Sequence, residues 1–434
     1  FRRWYKQAGT PVLSVRTDYN AEAQTYSLEF EQSCPATPGQ AEKLPFVIPV
    51  KLGLLGESGE IPLNQAGDCE TVVELTEAKQ QVVFENIAEQ PVPSLLRGLS
   101  APVKLDYNYS PEQLAFLMAR DTDGFNRWDA CQTLSFSVLQ QLVEDCIAQR
   151  PMVMDSQLIE AFALLLEDQS LDPAMVQLML QLPGEAQLHE QAAEIYVQAI
   201  YQARQFARQQ IAQALQEQLV ATYNRHNIQQ VYAPVADQIG RRGLKNAALS
   251  YLMLVDNIGP ELAWQQFNHA DNMTDQAAAL SALVNCSWAA AYAEKALQQF
   301  EQQYRDEALV MNLWLQIQAT NSQPGGLQRV QALLQHSAFN MTNPNKIRSL
   351  IGAFCSANLI NFHSADGSGY KFLQEQICAL NSVNPQVAAR LVTPLTRWKK
   401  FPEPNRQLMR DALQNIGKQE NLVKDLQEIV TKSL

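Results

Sequence analysis

The sequence is short of the residues that a self-contained catalytic site needs. It has five histidines in 434 residues, at positions 189, 226, 269, 336 and 363. No two of them lie at metal-ligand spacing, and no Cys-His cluster occurs, which argues against a zinc site built by this chain. The seven cysteines, at 34, 69, 131, 146, 286, 355 and 378, form no C-x-x-C pair. An odd, scattered set in a long chain reads as reduced thiols, many of them buried. There is no G-x-S-x-G elbow, P-loop or dinucleotide fingerprint. No apolar run approaches the ~18 residues that suggest a membrane span. Positive charge is also short: 33 Lys and Arg face 45 Asp and Glu, for a net charge of -12 and a pI near 5.0. That argues against nucleic acid or an anionic membrane as main partner, although a local basic patch can still hold an anion. Sequons at Asn108, Asn272, Asn285 and Asn340 come with no signal peptide, so the expected compartment is the cytoplasm.

Apolar residues make up 46 % of the chain, and its length exceeds what one core serves, so several domains are expected. Residues 11–109 read as β. In "TYSLEFEQ", Tyr26, Leu28 and Phe30 alternate with Ser27, Glu29 and Glu31, which puts one face on a core and one in water. About six or seven such runs separated by turn residues suggest an immunoglobulin-like β-sandwich, with a small barrel as the alternative. The texture changes at Ser110, where "SPEQL" spells a capping box with Pro at the first helical position. From 110 to 434 roughly fifteen helical patterns follow one another, and stacked helix pairs, an ARM/HEAT-like α-solenoid, account for that succession. The tract 189–222 is expected to be the longest, a packed helix with a polar outer face or, alternatively, a coiled-coil partner.

Few motifs carry chemistry. "HEQAA" (189–193) begins like the H-E-x-x-H zinc motif, but Ala193 stands where the second ligand belongs, so a solvated helix start is the default. His363 and Asp366 in "HSADGSGY" could pair as a base and its orienter, but no nucleophile accompanies them. Loop residues satisfied by hydrogen bonds are the plainer reading. "FNHADNMTDQ" reads as a polar junction between helices, with Thr274 as a plausible N-cap, or as part of a groove for a polar ligand. In "NPNKIRSLIGAF", Asn343 caps, Pro344 begins, and Ile347, Leu350, Ile351 and Phe354 form a buried stripe. Arg348 lies at its edge, with Gly352 on the same side. Arg390 follows the analogous Asn384-Pro385 start. Both arginines are candidates for a cavity wall, against the alternative of snorkelling or salt-bridged surface cations.

Longer stretches carry a resemblance: "FRRWYKQAGTP", "PATPGQAEK", "QPVPSLLRGLSAPVKL", "FNRWDACQTL", "NMTDQAAALSALV", "MTNPNKIRSLIGAF", "FHSADGSGYKFL" and "NPQVAARLVTPL". Together they span nearly the whole chain, which resembles the C-terminal half of the bacterial alanyl-aminopeptidase branch of the M1 zinc metallopeptidase family. The resemblance implies a β-sandwich followed by a superhelical domain. It implies that residues 1–10 end a catalytic domain and that the chain is a fragment. The family's zinc ligands, general base and amine-recognition segment have no counterpart here. Zinc is therefore expected in the intact enzyme and not on this chain, and no catalytic, cofactor-binding or metal residue is assigned. The expected partners are the catalytic domain and peptide substrates. The expected activity of the whole is removal of N-terminal Ala, Arg or Lys, with this half limiting access. Arg348 and Arg390 match two family arginines near the internal cavity. The competing reading is a standalone scaffold that binds peptides or proteins.

Overall fold

The structure, a computed structural model, describes residues 1–255 and 258–434. It divides into two compact units, Phe1–Ser137 with Asp155–Leu171, and Val138–Met154 with Asp172–Leu434.

The first unit is built on two small sheets. One runs β6-β2-β1-β8, from β1 (Val12–Asn20), β2 (Thr25–Ser33), β6 (Lys79–Glu85) and β8 (Lys104–Asp106). The other is centred on β3 (Ile48–Gly56), which pairs with β4 (Gly59–Ile61), β5 (Glu70–Leu75) and β7 (Val92–Leu95). The alternation in β2 is realised: Tyr26, Leu28 and Phe30 are buried against Ile48, Val50, Leu52 and Leu54 of β3 in one apolar core. The polar position Gln32 is buried as well. Its amide bonds the Phe46 carbonyl and N–H and the Glu77 carbonyl, which removes the cost of burying it. There are eight strands where six or seven were expected. Three of them, β4, β7 and β8, are three or four residues long, too short to show a period.

Residues before β1 pack on this core. Trp4 lies against Phe46 and donates its indole N–H to the Val47 carbonyl at 2.9 Å. The helix Pro111–Arg120 starts with the expected capping box between Ser110 and Gln113. It stops at Asp121, which enters a buried ion pair with Arg97. Arg97, 2 % exposed, also bonds Ser94 and Glu60. Gly53 leaves room for the guanidinium: a Cβ there would stand 2.6 Å from Arg97 Cζ.

The second unit is helical. Asp172, Asn343 and Asn384 cap the helices that follow them, each with Pro at the start. Three expectations need correction. The tract 189–222 is not one helix: Glu185–Gln191 ends, Val197–Ala214 follows, and Leu215 kinks the chain before Gln216–His226. In the gap, the Ile195 N–H is spent on the Lys400 carbonyl at 2.8 Å, a tertiary bond that sequence periodicity does not show. The helix after Met273 is capped by Asn272, whose side chain accepts from the Asp275 N–H, and not by Thr274. The helix from Pro344 is also not regular. It changes at Arg348–Gly352 into a π-helical turn before Ala353–Ala357.

The junction at 267–284 is a polar network. Lys245 Nζ sits 2.7 Å from Asp275 Oδ2, and Asn246 and Asn272 donate to the same carboxylate. Gln266 ties Asn246 to the Asp275 carbonyl. Both ions are almost fully buried, and the surrounding amides satisfy them. This matches the polar-junction reading of the stretch.

Candidate functional site: an arginine-lined cavity

Arg348 and Arg390 open on one cavity of about 660 Å³ in the second unit. The segment from Asn343 to Ala357 makes one wall. Its stripe, Ile347, Leu350, Ile351 and Phe354, is fully buried, which fixes the rotation of the helix and leaves Arg348 on the outer side. A π turn takes one more residue per turn than an α turn and often marks functional positions. Here it covers Arg348 and Gly352, which both line the cavity. A side chain at Gly352 would meet only ordinary contacts, the nearest at 3.8 Å, so no close approach demands glycine there. Arg348 donates to the Asn345 side chain.

The helix Pro385–Leu391 supplies Arg390, and the segment after Thr393 supplies Arg397 and Phe401. Arg348 and Arg390 are exposed rather than partly shielded within this chain. Neither they nor Arg397 forms an ion pair with a carboxylate among the described residues, and no Asp or Glu lines the cavity. Three guanidinium groups line this cavity without an acid among its lining residues, in a chain of net charge -12, while Arg390 also borders a second pocket with Asp425 and Glu428.

Two histidines also line it. His189 is 3 % exposed, not a solvated helix start, so the default reading of "HEQAA" is overturned. Burial, with Arg397 nearby, lowers its pKa from 6.5 to about 4. His363 lies in stacked contact with Phe401, ring centres 4.6 Å apart. Burial, with His189 and Arg397 adding to it, lowers its pKa to about 3. Both rings are neutral at pH 7.

His363 and Asp366 do not pair. The His363 Nδ1 partner is the Tyr370 hydroxyl at 2.9 Å, while Asp366 accepts from the Ser368 N–H at the head of the next helix. The base-and-orienter reading fails because these two side chains have separate partners.

Sequence reasoning found Arg348 and Arg390 and missed His189, His363, Arg397 and Phe401 as companions. Lys346, close by in the chain, does not line the cavity: it is buried with its ammonium 3.3 Å from the Ala308 carbonyl, and burial lowers its pKa. Isolated polar residues on apolar helix faces were the available signal. Among the described residues, no group of three or more His, Cys, Asp or Glu side chains could hold a metal ion. The zinc implied by the resemblance therefore has no fitting donor set here.

Fold and cavity together define a β-sandwich joined to a helical-repeat body with a cationic pocket, and no metal centre among the described residues. The chain belongs to the family described as "Domain of unknown function (DUF3458_C) ARM repeats", which matches residues 111–434, and residues 9–108 match "Domain of unknown function (DUF3458) Ig-like fold". It corresponds to the Ig-like plus ARM/HEAT-repeat, C-terminal half of bacterial aminopeptidase N of the M1 family. It is 41 % identical to aminopeptidase N of Escherichia coli (strain K12) and 37 % identical to that of Haemophilus influenzae, each over the whole of this chain and 50 % of the relative. The chain thus spans about half the length of the curated relatives it matches. Among solved structures it is similar to Legionella pneumophila aminopeptidase A in complex with aspartic acid. The TM-score is 0.83 at 28 % identity, covering all of this chain and 50 % of that one.

Proposed function

We propose that this chain is the non-catalytic C-terminal portion of a zinc-dependent aminopeptidase. It caps the active site of a catalytic domain and restricts access to short, unstructured peptides. The observation that carries the reading is the cavity wall: Arg348, Arg390 and Arg397 without a carboxylate, in an acidic chain. A peptide that presents its amino end to a catalytic centre trails a carboxylate. An arginine wall attracts that end and holds it by charge-assisted hydrogen bonds. Covering by a catalytic domain would take the exposed Arg348 and Arg390 guanidinium groups out of water and strengthen such a field.

In this reading the zinc, which polarises a carbonyl and lowers the pKa of bound water, belongs to the part of the relatives that this chain does not span. The substrates are peptides with N-terminal Ala, Arg or Lys, and the partner is the catalytic half. The acidic balance disfavours nucleic acid and anionic membrane, and the scattered thiols suit the cytoplasm.

The experiment is complementation. The purified chain alone should cleave no alanyl chromogenic substrate. Mixed with a separately produced catalytic half, it should raise peptidase activity and narrow the length range of peptides cleaved. Turnover by the chain alone, or no association between the halves, overturns the proposal and favours an independent enzyme or scaffold.

A further inference from the structure

The hydrogen bonds around His363 determine which of its nitrogens carries the proton. Asn405 Nδ2 donates to the His363 carbonyl at 3.0 Å and to the Tyr370 hydroxyl at 2.6 Å. A backbone carbonyl only accepts, so the Asn405 amide can face only one way. The Tyr370 oxygen receives one of its protons, and its own proton is then free to go to His363 Nδ1, 2.9 Å away. Nδ1 is therefore the acceptor, and the neutral ring keeps its proton on Nε2. His363 lines the cavity, and with Nδ1 taken by Tyr370 its remaining polar atom is an N–H donor.

Two further groups lie beside it. Arg397 makes one long hydrogen bond, from Nη2 to the His189 carbonyl at 3.4 Å, and no ion pair among the described residues. His189 meets Phe401 edge-on, ring centres 6.4 Å apart, and its Nε2 is buried with no hydrogen-bond partner among the described residues. All four residues line the same cavity, and no acid does. A guanidinium and the His363 N–H without a competing carboxylate suit an oxyanion, and the unpartnered His189 imidazole lines the same cavity.

We propose that Arg397, His363 and His189 form a binding subsite for a carboxylate anion, with His363 donating from Nε2. The subsite uses residues other than Arg348 and Arg390, and it stands whether or not the chain completes a peptidase. The carboxylate could belong to a small free acid or to the end of a peptide, and the chemistry of recognition is the same.

The test uses the purified chain. Long-range imidazole ¹H–¹⁵N correlation spectra, assigned with His189→Gln and His363→Gln, should show His363 protonated at Nε2. Sodium acetate, exchanged for chloride at constant ionic strength, should shift the His363 signals saturably. Arg397→Gln should weaken acetate binding by about tenfold, the loss expected for one charge-assisted hydrogen bond, while leaving the His363 tautomer unchanged. A peptide that displaces acetate when its C-terminus is free, and not when it is an amide, assigns the subsite to peptide ends. Acetate binding without peptide competition assigns it to small acids. A proton on Nδ1, no saturable shift, or equal binding by Arg397→Gln overturns the proposal.

Discussion

The Arg97 guanidinium meets the Asp121 carboxylate at 2.9 Å, with the two side chains 2 % and 0 % exposed. Ser94 donates to the other carboxylate oxygen at 2.6 Å and accepts from Arg97 Nε. Asn126 adds a bond to Ser94 and one to the Leu95 carbonyl. This cluster joins the short strand β7 to the helix Pro111–Arg120 inside one compact unit.

Removing one partner of that pair should be far worse than removing both. Asp121→Ala leaves a buried guanidinium opposed only by the partly exposed Glu60 and, at 3.8 Å, the half-exposed Glu70, and should cost about 3–5 kcal/mol in urea unfolding. Arg97→Met with Asp121→Leu should recover part of the loss. Gly53→Ala should also destabilise, by about 1–3 kcal/mol, because its methyl meets the guanidinium at 2.6 Å. An Asp121→Ala chain with an unchanged urea midpoint would show that the pair contributes nothing.

The second buried pair offers an independent check. Asp275→Ala strands Lys245 and unpairs the Asn246 and Asn272 amides, so a loss of about 3–5 kcal/mol is expected. Asp275→Asn keeps the shape and should cost less. The readout is the thermal midpoint of the second unit, and equal midpoints for the two variants would contradict this.

The two cavity histidines should make stability depend on pH. Their folded pKa values, about 4 and about 3, lie below the ordinary 6.5. Between those limits the unfolded chain binds protons that the folded chain refuses. Their contribution is therefore full above pH 6.5 and is lost as pH falls toward 4 and below, by up to about 1.4 kcal/mol per pH unit for each ring. His189→Gln should flatten the curve of unfolding free energy against pH. Imidazole signals of His189 and His363 that titrate near pH 6.5 in the folded chain would refute the assignment.

The arginine wall predicts a split between substrates in the complemented enzyme. Arg348→Ala with Arg390→Ala should raise KM by about tenfold for tripeptides with a free C-terminus. Their amides and an alanyl anilide, which lack the carboxylate, should show little change in KM or kcat. An equal rise for acid and amide would mean that the arginines act through structure instead.

Much of the fold was legible because it is encoded locally. Strand β2 alternates with period two, Ser110 and Gln113 stand three residues apart, and Asn343, Asn384 and Asp172 each precede Pro. The failures came where a tertiary partner overrode the local signal or where the local signal fitted two readings equally. Ile195 gives its N–H to Lys400 and interrupts a tract that reads as one helix. Asn272 takes the cap that Thr274 also suited. The π turn at Arg348–Gly352 leaves no mark in an apolar stripe that fits a regular helix equally well.

The sequence by itself determined the order of a β-rich and a helical part, the helix starts at Ser110, Asp172, Asn343 and Asn384, the buried stripe beside Arg348 and the absence of a zinc-binding pattern, since each depends on residues close together in the chain. Only the tertiary structure decided the company of Arg348 and Arg390. His189 and Arg397 lie 208 residues apart and meet because separate helices pack around one cavity. Histidine neutrality arises there from desolvation, a property of the packed surroundings that no spacing along the chain encodes.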